Sequence, residues 1–184
     1  MTIGFKSFQI RSALSPNLFY FQMINRTDPQ IMMSMNDFTK NMSEYYNQYE
    51  TIPSLNFTNE DCPIAGWTVA CQYKSHRTNK IEWRRAKVRQ KIENKIYEVL
   101  FFDFGIYDVV HYTKFRKLHF HFCSYPIQCF PGKLIGIREQ SEWPKSVISG
   151  FRDFIKLAKN GNNVLALVGP GDYVNQKVCK CNFH

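Results

Sequence analysis

Three segments of the chain decide its fold: WRRAKV (83–88), FFDFG (101–105) and YTKFRKL (112–118). The first segment lies inside a longer run with the character of a β-strand. Because side chains alternate across a strand, Arg84, Ala86 and Val88 share one face. Small alanine and branched valine suit an enclosed interior. We therefore expect this face to line the inside of a small barrel, with Arg84 at its mouth.

Other short strands surround these segments. The sequences WTVACQY, IEWRRAKVRQKI, IYEVLFFDF and IYDVVHY follow one another between Gly66 and Leu118. They are separated by turn sequences such as ENK and by Gly105. Four or five short strands in about fifty residues predict a small closed barrel.

An amphipathic helix is predicted before the barrel. Residues 30–50 contain no glycine or proline. Apolar residues recur there at steps of three and four, at Ile31, Met35, Phe38, Met42 and Tyr45. This spacing predicts a helix of roughly five turns whose apolar stripe faces a core.

The two ends of the chain look incomplete by themselves. Phe5–Ile24 is predicted to form two strands, and KLIGIR (133–138) and NNVLALVG (162–169) are predicted strands. A second helix is predicted for SVISGFRDFIKLAK (146–159), after Trp143-Pro144 and before Asn160-Gly161. We expect the ends to pair with each other around an inserted barrel, so that Phe5–Ile24 pairs with Lys133–Arg138 or Asn163–Val168.

This ordered set of motifs resembles the extended Tudor domain family. The tryptophan of WRRAKV, the strand ending in Asp103-Phe104-Gly105, the helix before the barrel and the second helix carry the resemblance over about Phe8 to Val168. In that family a Tudor barrel is inserted into a staphylococcal-nuclease-like OB-fold. The resemblance implies an α+β, mostly β fold, with N-terminal strands of the OB-like lobe at 1–29, a linker helix at 30–50, a Tudor (SH3-like) barrel at 66–118, and the remainder of the OB-like lobe with a C-terminal tail at 119–184.

The resemblance also implies a role in protein recognition. Family members read arginine, typically symmetrically dimethylated, in Arg-Gly-rich tails such as those of PIWI-type Argonaute proteins in piRNA silencing. A cage of aromatic faces holds the cation, and an amide fixes one guanidinium hydrogen bond. We expect a non-enzymatic scaffold module without a cofactor or metal, located in cytoplasmic perinuclear germ granules (nuage), as one domain of a longer protein.

The cage positions of that family are only partly matched. The resemblance places Tyr73, Phe101 and Phe104 at aromatic positions, Arg84 where a further aromatic stands, and Ile106 where a polar asparagine stands. Arg84 removes a wall and brings a like charge to the place of the ligand cation. We therefore expect an incomplete cage that binds unmethylated or otherwise non-standard arginine. Each aromatic residue is equally compatible with a place in the core.

Positive charge is concentrated in one hairpin. The net charge of the chain is +9, and Lys74–Lys95 holds nine basic residues against Glu82 and Glu93, a net charge of +7. Such a patch attracts phosphate backbones or acidic protein segments. Weak RNA binding through this hairpin and the OB-like lobe is therefore the alternative function.

Catalysis, metal binding and membrane insertion are disfavoured. No P-loop and no hydrolase motif in a recognisable context occurs. The spacings of His119, His121, Cys123 and Cys129, or of Cys179, Cys181 and His184, match no familiar zinc frame, and HFHFC (119–123) is predicted to be an alternating strand. Without a signal-peptide pattern or a run of about 20 apolar residues, we expect a soluble intracellular chain with reduced cysteines.

Overall fold

The computed structural model describes residues 5–23, 34–49, 52–58, 61–76, 78–134, 136–138, 140–161 and 164–167. Within these residues the chain forms two compact units. Unit 1 contains 5–23, 103–105 and 127–167, and unit 2 contains 34–102 and 106–126. Residues 119–126, which the family resemblance placed in the OB-like remainder, group with the strands of the predicted barrel.

Nine strands and three α-helices lie in the described residues. The strands are β1 Phe5–Ser15, β2 Leu18–Met23, β3 Thr68–Lys74, β4 Ile81–Glu93, β5 Ile96–Phe101, β6 Ile106–His111, β7 Phe115–Lys117, β8 Phe130–Gly132 and β9 Val164–Leu167. The helices are α1 Met35–Gln48, α2 Phe120–Cys123 and α3 Lys145–Gly161. None of these helices is long and apolar enough to cross a membrane. The predicted α+β, mostly β fold is confirmed.

Unit 1 is built on a four-stranded antiparallel sheet in the order β8-β2-β1-β9. The hydroxyl of Ser15 accepts a hydrogen bond of 3.1 Å from the backbone N–H of Leu18 and so closes the β1–β2 turn. Strand β9 pairs with the start of β1, from Phe5 opposite Leu167 to Phe8 opposite Val164. The predicted pairing of the two ends of the chain is therefore confirmed.

Helix α3 packs on this sheet in unit 1. Its buried residues Phe151 and Ile155 form a cluster with Ile10 and Phe19, and the rings of Phe19 and Phe151 are 5.9 Å apart. Phe151 and Ile155 are four residues apart and therefore lie on one side of the helix.

Unit 2 contains a five-stranded antiparallel sheet in the order β6-β5-β4-β3-β7. Helix α1 packs against it through Phe38, Met42 and Tyr46, which form one buried cluster with Ala70 and Trp83. The helix begins at Met35. It is capped by Ser34, whose hydroxyl accepts a 3.1 Å hydrogen bond from the backbone N–H of Asp37. The part of the predicted helix at 30–33 lies outside the described residues.

Two predicted strands are wrong. Residues 120–123 form helix α2, whose turn is closed by a 2.9 Å bond from the N–H of Phe122 to the carbonyl of His119. Strand β8 ends at Gly132, directly before the segment KLIGIR. The described residues of this segment, 133, 134 and 136–138, do not form a strand. Within it, the N–H of Leu134 bonds to the carbonyl of Pro16 over 3.0 Å, and Gly136 turns the chain with φ +83°.

The cysteines differ partly from the expectation of reduced thiols. Cys62, Cys71 and Cys129 are free, and burial raises the pKa of the Cys71 thiol strongly. Cys123 is held in a disulfide instead.

Candidate functional site

The candidate site lies on β4, whose side chains alternate between two environments. Arg84, Ala86 and Val88 are 9%, 0% and 0% exposed and share one face. Trp83 and Arg85 face the opposite way, toward helix α1 and toward α2 with the residues that follow it. The alternation predicted for WRRAKV is confirmed.

Trp83 fixes β4 against helix α1. Its indole Nε1–H donates to the amide oxygen of Asn47 over 3.0 Å, and its backbone N–H donates to the hydroxyl of Ser43 over 2.9 Å. The indole also lies 5.0 Å from the ring of Tyr46. These contacts hold the strand so that the next residue, Arg84, faces away from the helix.

The phenol of Tyr46 closes the same interface. It donates to the carbonyl of Lys117 and accepts from the N–H of His119, both over 2.9 Å. Burial raises the pKa of Tyr46 well above its usual value of 10.0. The phenol is therefore a neutral structural group.

Arg85 has a structural role that the sequence analysis did not anticipate. It is one of the nine basic residues of the hairpin, yet it is 1% exposed. Its guanidinium donates to the carbonyls of Phe122, Tyr125 and Pro126 over 3.0, 2.6 and 3.1 Å. This role could have been predicted from the sequence. Because side chains alternate along a strand, Arg85 lies on the same face of β4 as Trp83 and on the opposite face from Arg84.

Tyr73 and Phe101 supply the aromatic part of the site. Tyr73 lies on β3 and Phe101 ends β5, and their rings meet edge to face at 5.1 Å and 71°. Phe101 is fully buried and Tyr73 is 8% exposed. Phe101 is thus a core residue that supports Tyr73, while the face of Tyr73 offers its π-system to a cation.

Arg84 occupies that face of Tyr73. Its guanidinium carbon lies 3.9 Å from the centre of the Tyr73 ring. Its Nη2 and Nε donate to one carboxylate oxygen of Glu82 over 2.7 and 3.1 Å. The strand register explains the contact, because β3 and β4 pair Tyr73 with Glu82 and Cys71 with Arg84. Glu82, Arg84 and Tyr73 therefore project from the same face of the sheet.

The remaining two predicted site residues flank Gly105. Phe104 is half-buried in the turn after β5, and Ile106 begins β6 directly opposite Phe101. The structure thus brings Tyr73, Arg84 and Phe101 together and places Ile106 beside them by strand register. Ile106 carries no side-chain group that could bond to a guanidinium.

The turn between β5 and β6 is fixed by contacts within unit 1. The carboxylate of Asp103, 2% exposed, accepts the backbone N–H of Gln128 over 3.2 Å. Gly105 has φ +66°, and a Cβ there would overlap the side chain of Tyr20. Asp103 therefore has a structural role in this turn.

The basic hairpin presents fewer free cations than the sequence suggested. Arg84 and Arg85 are buried, whereas Lys87, Arg89 and Lys91 are exposed. The exposed cations follow the outer half of β4, beyond the Tyr73 contact. Among the described residues, no group of three or more His, Cys, Asp or Glu side chains is placed to hold a metal ion. Cys179, Cys181 and His184 lie outside those residues.

This chain is similar to Tudor domains of known structure. The family model described as Tudor domain matches residues 6–136. The Drosophila melanogaster Papi extended Tudor domain (D287A), in complex with a Piwi N-terminal R10me2s peptide, matches with a TM-score of 0.70 and 21% identity over 90% of this chain and 76% of that chain. The same domain with a Piwi N-terminal R10-unme peptide matches with a TM-score of 0.67 and 19% identity over 97% and 94%.

A mammalian domain has the same fold. Extended Tudor domain TD3 of mouse TDRD1, in complex with a MILI peptide containing dimethylarginine 45, matches with a TM-score of 0.68 and 18% identity over 91% of this chain and 77% of that chain. A comparison with curated proteins finds no match.

Proposed function

The chain belongs to the Tudor domain family, and from this premise we propose that it is a protein-interaction module that binds an arginine side chain in the tail of a partner protein. The observation that carries the proposal is the position of Arg84 over Tyr73. This ring face already holds a guanidinium, in the geometry that a ligand arginine would need.

The partner that we propose is an arginine-rich tail of a PIWI-type Argonaute protein. The Papi and TDRD1 domains with this fold were solved with Piwi and MILI peptides, which supports this class of partner. The Papi domain was also solved with an unmethylated Piwi peptide, which supports a ligand that does not need methyl groups.

The residues around Tyr73 favour an unmethylated arginine. Methyl groups add apolar area that a complete aromatic cage would cover, but here Phe101 is fully buried and Arg84 stands where another aromatic wall would be. Ile106 supplies no amide to orient the guanidinium. Added methyl area therefore finds few partners, and unmethylated arginine should bind at least as well.

Resonance mapping tests this function without altering the protein. On titration with an unmethylated Arg-Gly peptide, the ring resonances of Tyr73 and Phe101 should shift in a saturable way. A peptide with every arginine replaced by glutamine should leave them in place. The exposed Phe120 ring on α2 serves as the internal control. Shifts confined to rings other than those two would contradict the proposed site.

The exposed Lys87, Arg89 and Lys91 favour RNA binding as a second candidate function. Phosphate-driven binding should fall steeply with added salt. Replacing all three residues by glutamate should weaken RNA retention and leave peptide affinity within a few fold, because these side chains lie outside the Tyr73 contact. Loss of peptide binding in the same variant would make the hairpin part of the specific site.

A further inference from the structure

We infer that Arg84 is a built-in competitor for the Tyr73 site, defined as Tyr73, Phe101, Glu82 and Arg84, and that a partner's arginine enters by displacing it. The inference rests on the proposed function, because it describes how the same site admits its ligand. Three observations support the inference: the position of the Arg84 guanidinium, its ion pair with Glu82 and the charge balance of the site.

The position of Arg84 excludes a second guanidinium. A cation over an aromatic ring lies within about 6 Å of the ring centre, and Arg84 already lies 3.9 Å from the centre of Tyr73. The ring of Phe101 packs against Tyr73 with 5.1 Å between the ring centres, and Arg84 itself is 9% exposed. A ligand arginine therefore reaches the ring face only after Arg84 has left it.

Glu82 holds the competitor in place and can then serve the ligand. It lies opposite Tyr73 across the β3–β4 pair and accepts both Nη2–H and Nε–H of Arg84. When Arg84 leaves, the carboxylate remains beside the ring face and provides the acceptor that Ile106 lacks. An incoming guanidinium can make the same two bonds, since it carries the same donors.

The charge balance of the site requires exchange rather than addition. In the present arrangement Arg84 and Glu82 neutralise each other, with side chains 9% and 28% exposed. A second cation beside this pair would leave one positive charge without a counter-charge in a largely desolvated place, which is unfavourable. Exchange keeps one cation and one carboxylate at the ring. The ligand class is therefore an arginine that keeps Nε–H and one Nη–H, because an ammonium lacks the planar pair of donors.

Removing the competitor should raise affinity for the peptide. When Arg84 occupies the site in most molecules, the measured affinity equals the affinity of the open site multiplied by the fraction of molecules in which the site is open. We expect Arg84→Gln to bind an unmethylated Arg-Gly peptide about tenfold more tightly, given the strength of a cation–π contact and of a partly buried ion pair. Arg89→Gln is the matched control, since it makes the same charge change at an exposed position of the same strand.

Exchange also predicts a specific non-additivity between positions 73 and 84. With Arg84 present, Tyr73→Leu weakens the ligand contact and the competitor's contact together, so the measured affinity should change little. In the Arg84→Gln background, Tyr73→Leu should weaken binding about tenfold, because only the ligand then uses the ring. Tyr49→Leu in the same background makes the same change outside the site and should have no effect.

A measurement on the unaltered protein keeps the inference testable if a variant fails to fold. The Nε–H resonance of Arg84 should be shifted by the Tyr73 ring current in the free protein and lose that shift when the peptide is added. A resonance that keeps its shift in the peptide complex would overturn the exchange.

The outcomes separate this inference from the proposed function. Suppose that Arg84→Gln binds the peptide no more tightly than Arg89→Gln, and that Tyr73→Leu weakens binding equally with Arg84 and with Gln at position 84. The role of Arg84 as a competitor is then refuted, while the arginine site at Tyr73 is supported. If Tyr73→Leu has no effect in either background, the proposed site fails, and the exchange fails with it.

Discussion

Arg84 and Arg85 are adjacent in sequence and have opposite roles on the two faces of β4. The guanidinium of Arg84 lies on Tyr73 beside Glu82, whereas that of Arg85 bonds to one backbone carbonyl in helix α2 and two just after it. The alternation of a strand is sufficient to separate them. The first residue therefore belongs to the candidate site and the second to the framework that holds it.

Replacing Arg85 by methionine should destabilise the fold by about 2–4 kcal/mol, because three carbonyl groups lose charge-assisted hydrogen bonds in a buried place. Urea unfolding measures the change. Arg89→Met, at an exposed position of the same strand, should stay within about 0.5 kcal/mol of the unaltered protein. Equal losses for the two variants would show that the Arg85 bonds contribute nothing.

Replacing Tyr46 by phenylalanine should reduce stability at neutral pH by about 1–2 kcal/mol, because the carbonyl of Lys117 and the N–H of His119 lose their partner. Tyr49→Phe, which alters an exposed ring directly after the same helix, should have little effect.

The same variant should also change how stability depends on pH. Burial raises the pKa of Tyr46 in the folded state, so above about pH 10 the unfolded chain loses a proton that the folded chain keeps. Stability of the unaltered protein should therefore fall as pH rises past 10, by up to about 1.4 kcal/mol per unit from this group. Unfolding curves at pH 9 and 11 should show a smaller fall for Tyr46→Phe, and equal falls would rule out the buried neutral phenol.

The sequence predicted the strand faces but not the contact at the centre of the site. Arg84, Ala86 and Val88 could be placed on one face because small and branched residues alternate there. Glu82 lies two residues from Arg84, but the contact of Arg84 with Tyr73 depends on the β3–β4 register, which no local pattern specifies.

At helix α2 the local sequence pattern predicted the wrong secondary structure. HFHFC alternates like a strand, yet it forms one helical turn whose following carbonyls are held by the distant Arg85. A local pattern of five residues cannot report such a tertiary partner. KLIGIR similarly has strand composition, but β8 ends before it and Gly136 turns the chain.

Replacing Gly105 by alanine should destabilise the fold by more than about 2 kcal/mol. Its φ of +66° disfavours any residue with a Cβ, and that atom would overlap Tyr20. Gly150→Ala on helix α3 is the control, because nothing lies within 4 Å of a Cβ there, and it should stabilise by up to about 1 kcal/mol. Thermal unfolding distinguishes the two, and a harmless Gly105→Ala would show that the turn relaxes freely.

Restoring the two substituted cage positions should create a preference for symmetric dimethylarginine. The double change Arg84→Tyr and Ile106→Asn adds an aromatic wall, removes the resident cation and supplies an amide. One further cation–π contact and one hydrogen bond correspond to about tenfold to a hundredfold in affinity. Calorimetry with matched methylated and unmethylated peptides measures the preference. An unchanged preference would mean that these two positions do not decide it.

The most direct test of the account is the methylation preference of the unaltered protein. Calorimetric titration with an unmethylated Arg-Gly peptide and its symmetrically dimethylated counterpart should show that the unmethylated peptide binds at least as tightly, because Arg84 and Ile106 leave the cage incomplete. A preference for the dimethylated peptide by more than about tenfold, or ~1.4 kcal/mol, would contradict the roles assigned to Arg84 and Ile106.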